Sequence, residues 1–339
     1  MKTLLVGYRA ADLTPELLEG DVTCHVLDIY HRHAIEKVHH AKAVCSAHLP
    51  EGPWDLVKFR TGPKIHSGEL ALDLLQECYR VAGLRGLDAP APLSGRVEVE
   101  FEGRERDRND LLNKIKDDPK RVRSFRAEWP ASVPGGEKLM FTSYPGCFCH
   151  RRLDEGGLAL AEVASRELCS QIADLKSQIS DCRLSDCRLS DCRLLDMGCG
   201  CGLVGFLIAN RLARPLTTNC QLPTTISLVL VDSHARAVEA ATENAAKFAL
   251  PAEVILSDSG TPARMDGTFD VFVGNPPYYS DYRIAEVFLE TAKRALKPGG
   301  ICYTVVKNAA GLKPVQERYF PTVEVIGRRG YSVLKSVRE

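Results

Sequence analysis

Two short stretches of this sequence carry residue types whose spacing can do chemistry. The first is Leu195-Asp196-Met197-Gly198-Cys199-Gly200-Cys201-Gly202, where three glycines alternate with other residues just after a carboxylate. Glycine permits a sharp turn and a close approach of backbone to ligand. The spacing is not that of a dinucleotide loop, because the third glycine position counted from Gly198 holds Leu203. A carboxylate directly before the turn suits an ammonium group better than a pyrophosphate. The second stretch is Asn275-Pro276-Pro277-Tyr278. Its consecutive prolines fix the backbone and remove two N–H donors, which leaves carbonyl oxygens bare. The Asn275 amide oxygen and the Pro276 carbonyl then form a pair of acceptors for both hydrogens of an NH2 group, turning its lone pair out of conjugation. Tyr278 offers a flat face for a base or a planar amide. No general base has to act first, since such a transfer relies on positioning and a good leaving group.

Two further acidic positions fit the same picture. Asp232 ends the run LVLVD, where its oxygens can accept both hydroxyls of a ribose. Asp258, with Ser259 beside it, follows VILS and can accept an adenine amino group. Any one aspartate might only cap a helix. Acidic strand ends gathered around one glycine loop instead describe a site for S-adenosylmethionine.

The elements that must position these residues are legible in outline. From Leu194 onward, the strand-like runs LLDMG, LVLVD, AEVILSD, DVFVGN and ICYTVV alternate with helical patterns over 204–212, 236–248 and 284–296. Alternation predicts an α/β fold with a parallel sheet covered on both faces. VEVIG and YSVLKSV flank Arg328-Arg329-Gly330, which predicts an antiparallel hairpin at the sheet edge. A long amphipathic helix is expected to begin near Asp154. Residues 213–225 read as an inserted loop. Earlier in the chain, Leu4-Leu5-Val6, His25-Val26-Leu27 and residues 54–58 read as strands, and helices are expected from residue 69 to a terminating glycine and over 108–121. The stretch 127–137, with two prolines and a Gly-Gly pair, reads as a linker between a domain over 1–135 and one over 136–339. Three copies of SDCRL over 180–194 have a period that fits neither helix nor strand. They read as a tandem expansion of a loop, which chain entropy tolerates, and carry no function.

Composition narrows the class. A chain of 339 residues suits two domains, and 45% hydrophobic with 26% charged residues is ordinary for a globular protein. No apolar run approaches the ~18 residues of a membrane span. The apolar stretch after Met1-Lys2 is too short for a signal peptide, so a cytoplasmic protein is expected. Thirteen cysteines, an odd number without a CxxC pair, predict reduced thiols and no metal site. The six histidines from His25 to His48 are irregularly spaced and are expected at the surface without a metal. A formal net charge of zero removes long-range attraction to nucleic acid and leaves only local patches. Lys120, Arg121, Arg123 and Arg126 around Phe125 form such a patch for RNA phosphates and an unpaired base, with a solvated helix end as the equal alternative.

The glycine loop and Asn-Pro-Pro-Tyr together resemble the class I, amino-methylating methyltransferases that carry an Asn/Asp-Pro-Pro-aromatic motif. The segment TSYPGCFCHRRLDEGG (142–157) is similar to the lead-in of the 16S rRNA guanine-N2 methyltransferase family, the small-subunit rRNA methyltransferase C type. Gly146, Phe148, Leu153, Asp154 and Gly156 fall on that pattern, and VEVIGRRGYSVLKSVR resembles the same family's closing hairpin. The resemblance covers residues 138–339. It implies a Rossmann-like class I methyltransferase fold, with a seven-stranded sheet ending in an antiparallel hairpin, behind a smaller degenerate copy that assists RNA binding. It implies S-adenosylmethionine held by Phe148, Asp196, Gly198, Gly200, Gly202, Asp232, Asp258, Ser259 and Asn275. The catalytic set is then Asn275, Pro276, Pro277 and Tyr278, and the partner is ribosomal RNA or the small subunit, methylated at guanine N2. Adenine N6, a protein glutamine, or a non-catalytic assembly role stand as alternatives, and Tyr278-Tyr279 replaces the family's usual Phe-His.

Overall fold

The computed structural model describes residues 1–83, 95–116, 124–178, 191–214, 225–277 and 282–339. The SDCRL copies up to residue 190, most of the inserted loop, Lys120, Arg121, Arg123 and Tyr278 lie outside that description. Two compact units emerge. The first is Met1–Ala127 together with Tyr144–His150 and Ser233–Arg236, and the second is the remainder.

The first unit is built on five parallel strands, β1 (Lys2–Val6), β2 (Asp21–Val26), β3 (Ala43–Cys45), β4 (Leu56–Thr61) and β5 (Arg96–Phe101), in the order β3-β2-β1-β4-β5. Its helices are α1 (Ile29–His39), α2 (Gly68–Val81) and α3 (Glu105–Lys116), the last starting earlier than its sequence pattern suggests. Helix α2 starts where the Ser67 hydroxyl accepts the Leu70 N–H, satisfying one of the orphan donors of the first turn. It buries Leu70, Leu74, Leu75 and Cys78 against Val57 and Phe59 of β4. Helix α1 escapes a periodicity search because it buries only Ile29 and Ile35. Its start is set instead by Asp28, whose carboxylate accepts the Tyr30 N–H at 2.9 Å. The surface placement expected for the histidines fails at His25. His25 lies inside β2 at 1% exposure with its Nε2 2.9 Å from the Ser46 carbonyl, and burial pushes its pKa down to about 4. A strand covered on both faces has no solvent side for it to occupy. Arg236, equally buried, is held in this unit by Asp73, Glu77 and the Ala47 carbonyl.

The second unit begins with β6 (Ala127–Ala131) and β7 (Leu139–Ser143), a two-stranded sheet where the sequence reads as a linker. Along β6, Ala127, Trp129 and Ala131 are buried while Glu128 and Pro130 face solvent. Proline is tolerated in an edge strand. Trp129 stacks on Phe141 with ring centroids 5.3 Å apart. The main sheet has seven strands, β8 (Asp191–Met197), β9 (Thr225–Asp232), β10 (Ala252–Leu256), β11 (Phe269–Gly274), β12 (Leu296–Val306), β13 (Glu324–Arg328) and β14 (Tyr331–Val337), in the order β10-β9-β8-β11-β12-β14-β13. Pairings are parallel except those of β14 with β12 and β13, as the closing hairpin predicts. The helices are α4 (Glu155–Gln178), α5 (Leu203–Leu212), α6 (Ala235–Phe248), α7 (Arg283–Ala295) and α8 (Ala309–Glu317).

The chain leaves β8 toward β9 and β10, then crosses back to β11 on the other side. A crevice opens outside the strand ends at such a reversal, where ligands of α/β sheets bind. The first five strands of this sheet repeat the neighbour order of the first unit. The second unit is thus a mostly parallel α/β sheet, and the first is a smaller α/β unit with the same neighbour order. Among the described residues no helix is long and apolar enough to cross a membrane, no cluster of His, Cys, Asp or Glu is set to hold a metal, and no disulfide forms.

Candidate active site

The loop after β8 is a chain of left-handed turns, with φ of 68° at Gly198, 56° at Gly200 and 84° at Gly202. The three glycines answer to different needs. A Cβ at Gly198 would lie 2.7 Å from Cζ of Phe288, and one at Gly202 would lie 2.3 Å from Cε2 of Phe206. At Gly200 it would meet nothing within 4 Å. Packing therefore demands the outer pair, whereas the middle one presents bare backbone to open space. Gly202 also caps α5, whose first N–H groups point back toward the loop.

Three side chains hold the loop in place. Asp196 is 2% exposed, and its Oδ2 accepts the Gly205 N–H at 2.8 Å. Burial pushes its carboxyl up to about 7, the Gly205 hydrogen bond opposing and the Asp232 charge adding to the shift. Asp232 ends β9 half-buried, and its Oδ2 accepts the Gly200 N–H at 2.8 Å. Asn244 of α6, wholly buried, donates to the carbonyls of Thr142 and Cys201 at 3.0 Å and accepts the Thr142 N–H at 2.8 Å. It staples the loop to β7. The sequence signal for it is a polar residue on a helix stripe that otherwise reads as apolar.

Asp258 and Ser259 stand just past the end of β10, Asp258 half-buried and Ser259 exposed. The turn carrying them is fixed beside Asp232, because the Ser257 N–H donates to the Asp232 carbonyl at 2.9 Å. Asn275 follows β11 directly, on the strand adjacent to β8. Its Nδ2 donates to Oδ2 of Asp154 at 2.8 Å. Pro276 is buried and Pro277 half-buried. Asp154 also accepts the Gly156 N–H at 3.0 Å at the start of α4. Its carboxyl is pushed up by burial and pulled back by the Gly157, Asn275 and Gly156 donors. In the sequence Asp154 reads as a helix start and as one position of the lead-in pattern, with no sign of its partner 121 residues away.

Second-unit geometry thus gathers Asp196, Gly198, Gly200, Gly202, Asp232, Asp258, Ser259, Asn275 and Pro276 at one end of one sheet. Two other groups of candidates lie in the first unit. Phe148 is 69% exposed there. Arg126 is exposed, but Phe125, expected at the centre of an RNA patch, packs half-buried against that unit's core.

Residues 184–335 match the family model described as "Methyltransferase small domain". Ribosomal RNA small subunit methyltransferase C of Haemophilus influenzae is 26% identical over 206 residues, covering 60% of this chain and 52% of the relative. Its namesake from Pseudoalteromonas translucida is 28% identical over 209 residues, covering 60% and 51%. The chain spans about half the length of these relatives. Among solved structures, the T. thermophilus 16S rRNA N2 G1207 methyltransferase, in complex with AdoMet and guanosine, superposes with a TM-score of 0.67. The likeness covers 100% of this chain and 88% of that one at 16% identity.

Proposed function

We propose that this protein, whose residues 184–335 match the methyltransferase small domain model, methylates the N2 amine of a guanine in small-subunit ribosomal RNA, using S-adenosylmethionine. The observation that carries the reading is the Asn275 amide, seated at the end of β11 beside the glycine loop with its NH2 turned toward Asp154. The residues fit the cofactor. Bare backbone at Gly200 faces open space, and Asp232 sits at the neighbouring strand end with a carboxylate suited to ribose hydroxyls. Asp196, Gly198, Gly202, Asp258, Ser259 and Asn275 complete the cradle, and the sequence resemblance adds Phe148.

When bound, the cofactor supplies a methyl group on a sulfonium. The protein's own work is to present the acceptor. Asn275 Oδ1 and the Pro276 carbonyl accept the two amine hydrogens, drawing the nitrogen lone pair out of conjugation with the base. Tyr278 supports the base plane. A guanine must leave its stack to reach this position, so contacts to RNA beyond the pocket are required. We assign those contacts to the domain over 1–135, with Lys120, Arg121, Arg123 and Arg126 as the cationic group. The first unit cannot repeat the chemistry. Where the second unit has open backbone after its first strand, the first has Tyr8 at 2% exposure, its hydroxyl donating to Glu100 at 2.7 Å. A Cβ on Gly7 would lie 2.3 Å from the Arg60 carbonyl oxygen.

The test is methyl transfer from labelled cofactor into small subunits, naked ribosomal RNA and a release factor, side by side. Digestion of the RNA should yield N2-methylguanosine. Label only in the release factor overturns the RNA reading, and N6-methyladenosine overturns the choice of base.

A pH dependence follows from Asp196. A carboxyl with a pKa of about 7 is largely neutral at pH 6 and cannot attract an ammonium group. Cofactor affinity should therefore climb from pH 6 to pH 8, by up to about tenfold per unit below the pKa, and flatten above it. Binding near pH 7 should release a proton, visible in calorimetry as a heat that depends on the buffer. A flat profile would remove Asp196 from ammonium binding.

A further inference from the structure

An asparagine amide has an accepting end and a donating end, and a half-turn about its last torsion exchanges them. The reaction proposed above needs the oxygen of Asn275 on the side of the incoming amine. We propose that Asp154 makes that choice, acting as a positioning residue that sets which end of the Asn275 amide meets the substrate; this rests on the methyltransferase reading of the site.

Asp154 Oδ2 accepts Nδ2–H of Asn275 at 2.8 Å. The reversed amide would place a carbonyl oxygen against a carboxylate, so the interaction is not merely weakened on reversal but becomes repulsive. The carboxylate itself is aimed before any substrate arrives. Its Oδ1 accepts the Gly156 N–H at 3.0 Å, and the Asp154 carbonyl accepts the Leu158 N–H at 2.9 Å. The Gly156 N–H is an orphan donor of the first turn of α4, and the Leu158 bond is the first internal bond of the helix. Gly157 is small for the same reason, since a Cβ there would lie 2.6 Å from Asp154 Oδ2. The start of α4 thus locks the carboxylate, and the carboxylate locks the amide.

Substitution can separate this role from helix capping. Asn caps helices as well as Asp does. In Asp154→Asn, the new amide keeps its oxygen on the Gly156 N–H and turns its NH2 toward Asn275. Asn275 must then flip to accept, and its own NH2 faces the acceptor. Expected results for Asp154→Asn are an unchanged melting temperature, cofactor affinity within about threefold of wild type and a kcat lowered at least 30-fold, with little change in KM. Asp154→Ala removes the cap but imposes no orientation, so it should melt earlier yet lose less kcat than Asp154→Asn. Adding Asn275→Asp to Asp154→Asn restores an acceptor on both sides, and should recover kcat to within about tenfold of wild type. A role in capping alone predicts the reverse ranking of the two single variants and no recovery in the double variant.

The assay uses the full chain and whichever acceptor the wild type labels in the side-by-side experiment. Transfer to a protein glutamine would therefore sink the RNA reading and still test Asp154. A readout independent of turnover is the Asn275 side-chain NH2 in a nitrogen-proton spectrum. One of its protons should be shifted downfield by the carboxylate in wild type, and that shift should vanish in Asp154→Asn. If the shift is absent in wild type, or if Asp154→Asn keeps wild-type kcat, the proposal is wrong.

Discussion

Asn275→Ala should leave the protein folded, with cofactor affinity within about threefold of wild type, and should lower turnover by roughly 10²–10³-fold, the scale seen when one preorganised hydrogen-bonding group is removed from a transition state. The site explains the asymmetry. Asn275 stands at the end of β11, half-buried, and its side chain packs no core. The rigid frame around it is supplied by buried Pro276 and by β11 itself, both untouched by the change. What disappears is one of two acceptors for the amine. With only the Pro276 carbonyl left, the amine keeps its conjugation with the base and its lone pair is no longer aimed. An interaction made only as the amine reorganises lowers kcat rather than raising KM. The measurement is single-turnover methyl transfer with saturating cofactor, alongside calorimetric affinity. Turnover near wild type would show that the amide does not handle the acceptor.

Much of this site was legible in the sequence because its parts are local. Gly198, Gly200 and Gly202 sit within five residues, and each aspartate stands at or near the end of an unbroken apolar run, the signature of a strand buried on both faces. The order of strands then brings them together without further information. The contacts that were not legible are those between residues far apart in sequence: Asp154 with Asn275, and Asn244 with Cys201 and Thr142. Each of these polar residues has an ordinary local explanation, a helix cap or a helix surface, that hides its distant partner. Misread elements fail for other reasons. Residues 127–131 look like linker because prolines are counted as breakers, yet β6 is an edge strand of a two-stranded sheet, where a proline is tolerated. Strand β5, RVEVEF, hides behind charged residues, because the edge of the first sheet asks only for alternation.

The glycine loop offers the other large effect, and it splits in two. Gly202→Ala should destabilise the protein by ~2–5 kcal/mol, combining the ~1–2 kcal/mol cost of left-handed backbone with the ~1–3 kcal/mol of an overpacked core. Phe206 cannot yield, being fully buried between Phe141 and Phe248. For a domain of this size that is a fall in melting temperature of roughly 4–20 °C. Gly200→Ala shares the backbone cost, at φ 56°, but its methyl meets nothing within 4 Å. It should melt only ~2–8 °C below wild type. Its damage falls on binding instead, because the methyl fills the space that bare backbone leaves for the cofactor. Affinity should drop at least about tenfold, worth ~1.4 kcal/mol. Thermal melts with and without cofactor separate the two: the Gly202 variant should start low and still gain stability from ligand, while the Gly200 variant should start near wild type and gain little. A Gly200→Ala protein that binds as tightly as wild type would mean that the ligand passes elsewhere, and the cradle described here would have to be redrawn around Asp232 alone.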